Sequence, residues 1–404
     1  MIDGRQVPLN RGQRIVELRN LLVLAQKELA SVIGIAQSYL SDLERGRVEL
    51  TPGAIHRICA ATATPTSFFQ HSTPPYSADD INFRTHTRMV SAKQRDFVIQ
   101  AFKEIERISA MLAHAPLVRV NRADIPGAEH TDPNDHDLEL LADDIRAAYG
   151  LSGAQHSDPS DHDLELLADD IRAAHGLSGA APVPNVTRMM EQAGIAIASI
   201  SAPFGNDRLL EGHCGMSRWP AGSPRASVGF VTGMTGERQR LTLAHEFGHI
   251  VLHSRRSVAD PKQRQREAEY FAGALLLPRP YAQHTITESL TLHDYLRIKA
   301  EFGISIQAII TRAQRLGLIT WDRQHSLTLQ LSARGWRHHE PVHINPESPQ
   351  LLHNELTALH GAHPYPPAST ALGISPALLQ SWIPEPNHDP DPSPSTPHTP
   401  TGEP

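Results

Sequence analysis

Within residues 241–250, Leu-Thr-Leu-Ala-His-Glu-Phe-Gly-His-Ile, three side chains have the types and spacing to hold and use a metal ion. His245 and His249 are four apart, so on a helix both imidazoles lie on one face and can reach a single cation. Glu246 directly follows the first of them, the place from which a carboxylate takes a proton from metal-bound water. The implied chemistry is metal-assisted hydrolysis, with Glu246 as general base and then as proton donor to the leaving group. A catalytic zinc site needs a third protein ligand and an open position. A third histidine in the spacing H-x-x-G-x-x-H is excluded, because Leu252 and Arg255 stand at those places. The remaining common ligand is a carboxylate on a following helix. His253, four residues past His249, is expected to support the site rather than to ligate.

These groups need a scaffold, and the flanking sequence supplies one. The His-Glu-Phe-Gly-His helix is expected from about Arg238 to Leu252, and a second helix over 264–277 is closed by Pro278. Upstream, 186–194 reads as a helix and 195–200 as a strand. Residues 208–233 alternate short β-like runs with Gly and Pro, which predicts a small sheet. Residues 287–316 are helical again. The class is α+β, mainly helical.

A second chemistry sits near the N-terminus. Residues 26–34 and 35–46 form two short helical patterns, each closed by glycine, joined by a tight turn. That is the sequence form of a helix-turn-helix. Its second helix would offer Gln37, Ser38, Tyr39 and Ser41 to the major groove, with Lys27, Arg45 and Arg47 at phosphates. Thr51-Pro52 fits the start of a further helix whose buried face is Ile55, Ile58 and Cys59.

Between these parts, residues 93–114 pattern as an amphipathic helix, either a connector or a dimer contact. Residues 130–155 are then repeated at 156–181 with four differences. Two copies are too few for a solenoid. The second copy is expected to be integral to the fold and the first to be an acidic surface helix. Past about residue 383 the chain is rich in Pro, Asp, Ser and Thr and should be a disordered tail.

Composition bounds the rest. The 404 residues are 40% hydrophobic and 20% charged, which suits two or three globular domains. Nothing approaches a membrane span or a signal peptide, so a cytoplasmic protein is expected. Two cysteines, Cys59 and Cys214, far apart in sequence, argue against a disulfide framework and a thiolate metal site. A net charge of -7 argues against indiscriminate nucleic-acid binding by the whole chain.

Residues 11–70 resemble the XRE (lambda-repressor-like) helix-turn-helix family at Gln26, Leu29, Ala30, Gly34, Gln37, Ser38, Leu43, Glu44, Gly46 and Pro52. The resemblance implies sequence-specific operator binding as a homodimer through this half. Gln26, Gln37, Ser38, Tyr39, Ser41 and Arg45 are then the DNA-facing set. Residues 186–345 resemble the ImmA/IrrE metallopeptidases, most strongly over 240–253 and 268–278. This implies a zincin-like fold, a Zn2+ cofactor held by His245 and His249, and Glu246 as the catalytic group. In that family the glutamate ligand sits three residues before the Ala of the Ala-x-x-Phe-Ala run, a position held here by Gln265. Glu269, four residues on and on the same helical face, is expected to stand in, while Glu267 lies about 200° round the helix.

The expected order is a helix-turn-helix domain over 8–72, a linker with its amphipathic helix over 73–129 and the repeat over 130–181. A metallopeptidase domain over 182–345, a helical extension over 346–382 and the tail over 383–404 follow. The functional expectation is a DNA-binding regulator that cleaves a partner protein, a repressor or antitoxin. The rival is a non-proteolytic transcription factor, or an antitoxin-like protein, whose degenerate peptidase domain senses a signal or binds a partner.

Overall fold

Four short helices, α1 (Arg11–Leu21), α2 (Gln26–Ile33), α3 (Gln37–Glu44) and α4 (Pro52–Thr62), close around Ile15, Leu18, Leu29, Ile33, Leu40, Leu43 and Ile58. The computed structural model describes residues 11–77, 82–85, 91–113 and 158–386, apart from 221, 222, 255, 257 and 338. Gly34 ends α2 in the left-handed region (φ 69°), which only glycine enters without strain. Thr51 caps α4 by accepting from the Ala54 N–H at 3.3 Å. At Gly12 the backbones of α1 and α3 touch: a Cβ there would stand 2.5 Å from the Leu43 carbonyl oxygen.

The chain then runs through strand β1 (Asn82–Thr85) into the long helix α5 (Ala92–Ala113). Sequence leaves α5 open between connector and dimer contact; in the fold it is a connector. Phe97, Phe102, Ile105, Ile108 and Leu112 are all buried within the chain, while Ile99 is half-buried. On one side α5 holds the helix-turn-helix through a buried charge cluster. Arg14 on α1 donates to Glu104 at 2.7 Å, Arg107 donates to the same carboxylate at 2.8 Å, and Arg107 also donates to the Leu372 carbonyl at 2.6 Å. Burial pushes the Glu104 carboxyl up, but the Arg107 and Arg14 guanidiniums outweigh it and hold the group below its usual range.

On its other side α5 packs on a four-stranded sheet of order β1-β3-β4-β2. Its other strands are β2 (Ala196–Ile200), β3 (His213–Arg218) and β4 (Ser227–Val231). The β1–β3 and β3–β4 pairs are antiparallel and β2–β4 is parallel. Alternation splits the sheet between two cores. Ala196, Ala198, Ile200, Met216 and Val231 join the core of α5 and the helix-turn-helix, while Ile197, Val228 and Phe230 join the core of the second half.

That second half contains α6 (Asp161–Ala174), α7 (Val186–Gln192), α8 (Gly236–His253) and α9 (Pro261–Leu276). It continues with α10 (Arg279–Thr285), α11 (Leu292–Phe302), α12 (Ile306–Arg315) and α13 (Trp321–Ala333). Helix α6 is the second repeat copy, and it is part of the core through Leu164, Leu167, Ala168 and Ile171. Its Glu165 accepts from Tyr270 at 2.8 Å and Arg312 at 2.7 Å, and its Arg172 donates to the Leu275 carbonyl at 2.9 Å. The first copy, expected as a surface helix, lies outside the described residues.

The last helices, α14 (Leu351–His360), α15 (Tyr365–Leu372) and α16 (Pro376–Trp382), return to the N-terminal half. Ser67 donates to the Thr370 carbonyl at 2.6 Å, and Gly373 lies so close that a Cβ would stand 2.9 Å from the Phe68 backbone. The segment read as an extension therefore helps to seat the helix-turn-helix. Ile383, where the tail was expected to begin, is buried; the tail from 387 onward lies outside the described residues. Among the described residues, no helix is long and apolar enough to cross a membrane.

Removing the carboxylate at Glu104 leaves Arg107 buried without its carboxylate partner and leaves Arg14 with Glu17 alone. Glu104→Gln should therefore cost about 3–5 kcal/mol in urea unfolding, as for other broken buried pairs. Because the folded-state pKa of Glu104 is depressed, its contribution is complete above the unfolded carboxyl range and is lost as pH falls through the folded value. The variant should lack that acid sensitivity. A loss under about 1 kcal/mol would show that the cluster does not tie the halves together.

Candidate metal centre

The site is built where α8 and α9 cross. Gly248 on α8 makes the crossing close: a Cβ there would lie 3.0 Å from the Phe271 ring and 3.1 Å from the Ala268 Cα. The depth and angle of α8 are set from its other side. Arg240 donates to the Val183 carbonyl at 2.6 Å, to the Pro184 carbonyl at 3.2 Å and to the Glu347 carboxylate. Glu347 in turn accepts from the first N–H groups of α7, Val186 at 3.0 Å and Thr187 at 2.6 Å. Gly236, at the start of α8, leaves room for the Ile344 and Asn345 carbonyls, which a Cβ would meet at 2.4 Å.

With the helices fixed, His245, Glu246 and His249 are buried. The Nε2 atoms of His245 and His249 face each other at 3.1 Å. Gln265 closes the triangle, with its Oε1 3.1 Å from His245 Nε2 and its amide nitrogen 3.4 Å from His249 Nε2. Behind His249 a chain of contacts fixes the ring: His249 Nδ1 lies 3.0 Å from His253 Nδ1, and His253 Nε2 lies 2.8 Å from Glu267. A carboxylate can only accept, so His253 carries its proton on Nε2 and accepts at Nδ1 from His249. The Nε2 of His249 then holds a lone pair aimed at His245 and Gln265. Burial, helped by Arg256 and Arg264, pushes the His253 imidazole down to about 3, so the ring is neutral at pH 7. Glu267 is itself held by Arg256 and by Gln263 at 2.9 Å.

The candidate base is held from the sheet. Ser217 on β3 donates to Glu246 at 2.6 Å, and Gly215, two residues earlier on the same face, gives the Glu246 side chain its space. Beside His245 a cavity of about 240 Å³ runs between α9 and α12 past Leu241, Leu276, Ile304 and Ala308.

One expectation is corrected here. Glu269 does not join the two histidines: its carboxylate is exposed at the cavity rim and accepts from Arg315 at 2.9 Å. The residue facing the imidazoles is Gln265. Among the described residues, no three His, Cys, Asp or Glu side chains are grouped to hold a metal ion. The converging donors are two imidazoles and one amide. The supporting groups Ser217, Glu267 and Glu347 carry no local sequence signal, since each acts on a residue distant in the chain or one turn round a helix.

On the helix-turn-helix, α3 exposes Gln37, Ser38 and Tyr39, with Arg45 exposed just beyond its end and Ser41 half-buried. Gln26 is engaged inside the motif. It donates to Glu44 at 2.7 Å and accepts from Gln37 at 3.3 Å, while Arg19 donates to the same Glu44 at 3.1 Å. Gln26 thus orients Gln37 across the turn. Lys27 and Arg47 are exposed at the margins, Arg47 beside Asp42 at 3.5 Å.

Comparison with known proteins finds two family matches, one in each half of the chain. Residues 15–69 match the helix-turn-helix family model, and residues 231–314 match the model of the IrrE N-terminal-like domain, a peptidase family. No curated protein matches the chain. The chain carries an XRE-type helix-turn-helix domain followed by an IrrE-like peptidase-family domain.

Proposed function

We propose that this protein is a cytoplasmic transcriptional regulator that binds operator DNA as a homodimer through its N-terminal half. Its IrrE-like domain is a zinc-dependent endopeptidase that cleaves a partner regulator, a repressor or an antitoxin. The observation that carries the peptidase reading is the His249–His253–Glu267 chain. Such a chain fixes the tautomer of a metal-ligating histidine and leaves its other ring nitrogen as the electron-pair donor. Two Nε2 atoms 3.1 Å apart also suit two ligands of one small cation. His245, His249 and the Gln265 amide oxygen would hold it. Zinc at such a site supplies a Lewis acid that polarises the scissile carbonyl and makes water acidic enough to lose a proton near neutrality.

The chain's own groups do the rest. Glu246 accepts the proton of the attacking water and passes it to the leaving amine. Ser217 holds that carboxylate in one rotamer. The cavity beside His245, with Leu241, Leu276, Ile304 and Ala308 on its walls and Glu269, Arg312 and Arg315 also lining it, accepts a substrate side chain with an apolar body and a polar end.

Gln265 also supports a second reading. An amide is neutral and binds zinc more weakly than a carboxylate, so a domain with this donor set can serve as a sensor or partner-binding module without proteolysis.

Three experiments test the metal centre, the proteolysis and the DNA reading in turn. Purified protein should carry about one zinc per chain, His245→Ala should remove it, and Gln265→Glu should tighten zinc against a competing chelator by roughly tenfold or more. Unchanged zinc content in His245→Ala would refute the centre. Glu246→Gln should keep the metal and slow cleavage of the partner by about 10²–10⁴-fold; a fully active variant removes Glu246 from the chemistry. Gln37→Ala should weaken operator binding by about 1–3 kcal/mol more than random-DNA binding, and equal losses would take Gln37 off the base edges.

A further inference from the structure

Strand β3 is the wall of the candidate site. Ser217 touches Glu246, and Gly215 lies where a Cβ would come within 2.6 Å of Thr242 and 3.2 Å of Glu246. One edge of β3 is paired with β4. Among the described residues its other edge is covered by β1 alone, and without β1 it would present a row of unpaired backbone N–H and C=O groups. The register sets β1 over the same two residues: Asn82 lies opposite Ser217, Phe83 opposite Met216 and Arg84 opposite Gly215, running antiparallel.

A strand edge beside a hydrolytic carboxylate is a docking line for an extended peptide. Backbone hydrogen bonds along such an edge hold the peptide, and side-chain pockets select it. Here the chain's own interdomain segment lies along that line. Its hold is weak by construction: four residues long, at the sheet margin, with a register break between Arg84 and Thr85. It is tethered at both ends. Upstream, the Tyr76 ring carries the Arg218 guanidinium 4.2 Å from its centroid, and Arg218 also donates to Glu106 on α5 at 2.7 Å. Downstream, α5 begins at Ala92. Tethering gives a weak strand a high effective concentration, enough to occupy the edge until a longer peptide competes for it.

We infer that the outer edge of β3 is the peptide-binding edge of this domain and that Asn82–Thr85 occupies it as a tethered, displaceable pseudo-substrate. The substrate class is then an extended protein segment that adds antiparallel to β3 after displacing β1. The word substrate rests on the peptidase reading above; the occupancy of the edge rests on the strand pairing alone.

The test uses full-length protein and, as probe, a fluorescently labelled synthetic peptide spanning residues 78–90, with binding read by anisotropy. Consecutive residues alternate in which one turns its N–H toward the partner strand. Combining Phe83→Pro with Arg84→Pro therefore removes a β1 donor whichever residue supplies it. That variant should bind the probe at least about tenfold more tightly than the unaltered protein. A second variant joins Phe83→Cys with Met216→Cys, two directly opposed positions. Oxidised, it should bind no probe, and reduction should restore binding to the unaltered level. Equal binding by the proline variant and the unaltered protein, or an oxidised cross-link without effect, would overturn the inference. Cleavage of the probe by zinc-loaded protein is scored separately. Enhanced binding without cleavage leaves the edge standing, because a pseudo-substrate is held rather than cut; cleavage without enhanced binding overturns the edge and keeps the peptidase.

Discussion

At Gly248 the backbone of α8 meets that of α9 with no side chain between them. That contact sets which residues of α9 face the histidines. A helix turns about 100° per residue, so one close crossing assigns a direction to every later position. Gln265 falls beside His245 and His249, Glu267 behind His253, and Glu269 on the solvent side against Arg315. Any side chain at 248 would press on Phe271 and Ala268 and part the helices. The donor triangle would open, since its edges are only 3.1 to 3.4 Å. Arg240 and Glu347 guard the same geometry from the far side of α8 by tying it to the start of α7.

The two halves of the chain do not behave as beads on a string. Taking Arg14, Glu104 and Arg107 out of water costs several kcal/mol per ion, and their close contacts with one another, with Glu17 and with the Phe68 and Leu372 carbonyls offset it. Such a cluster tolerates little displacement, so it holds α1 against α5 in one arrangement. Helix α5 passes that constraint to the sheet, where Arg218 binds Glu106 and the adjacent Ser217 binds Glu246. Arg225 adds a second strap, with both guanidinium nitrogens on Glu355 of α14 and a third contact to Ser109 of α5. The helix-turn-helix and the candidate base are therefore linked through packed, hydrogen-bonded neighbours.

Much of this was legible in the sequence, for identifiable reasons. His245, Glu246 and His249 declare themselves because a helix repeats every 3.6 residues, and the flanking apolar positions keep the same period. The helix-turn-helix declares itself through Gly34 and Thr51-Pro52, whose backbone preferences end and begin helices locally. The third member of the candidate metal centre was not legible. Gln265 and Glu269 share a helical face, and the choice between them depends on the Gly248 crossing and on Arg315, forty-six positions from Glu269. Glu104 looked like one more polar residue on an amphipathic helix, because its partners come from α1 and from the next turn of α5. Strand β1 was hidden within a segment read as linker. Four residues carry too little periodicity to mark a strand, and only the register with β3 defines it.

Helix α6 clamps α9 through Leu164, Glu165, Leu167, Ala168, Ile171 and Arg172. The first repeat copy carries the same six residue types at an offset of 26, as Leu138, Glu139, Leu141, Ala142, Ile145 and Arg146. A replication slip that deletes one repeat unit therefore yields a chain that still encodes the clamp, and a slip that adds one leaves it untouched. Changes in the first copy leave the residues of α6 as they are, which is a route by which such a segment acquires a new role.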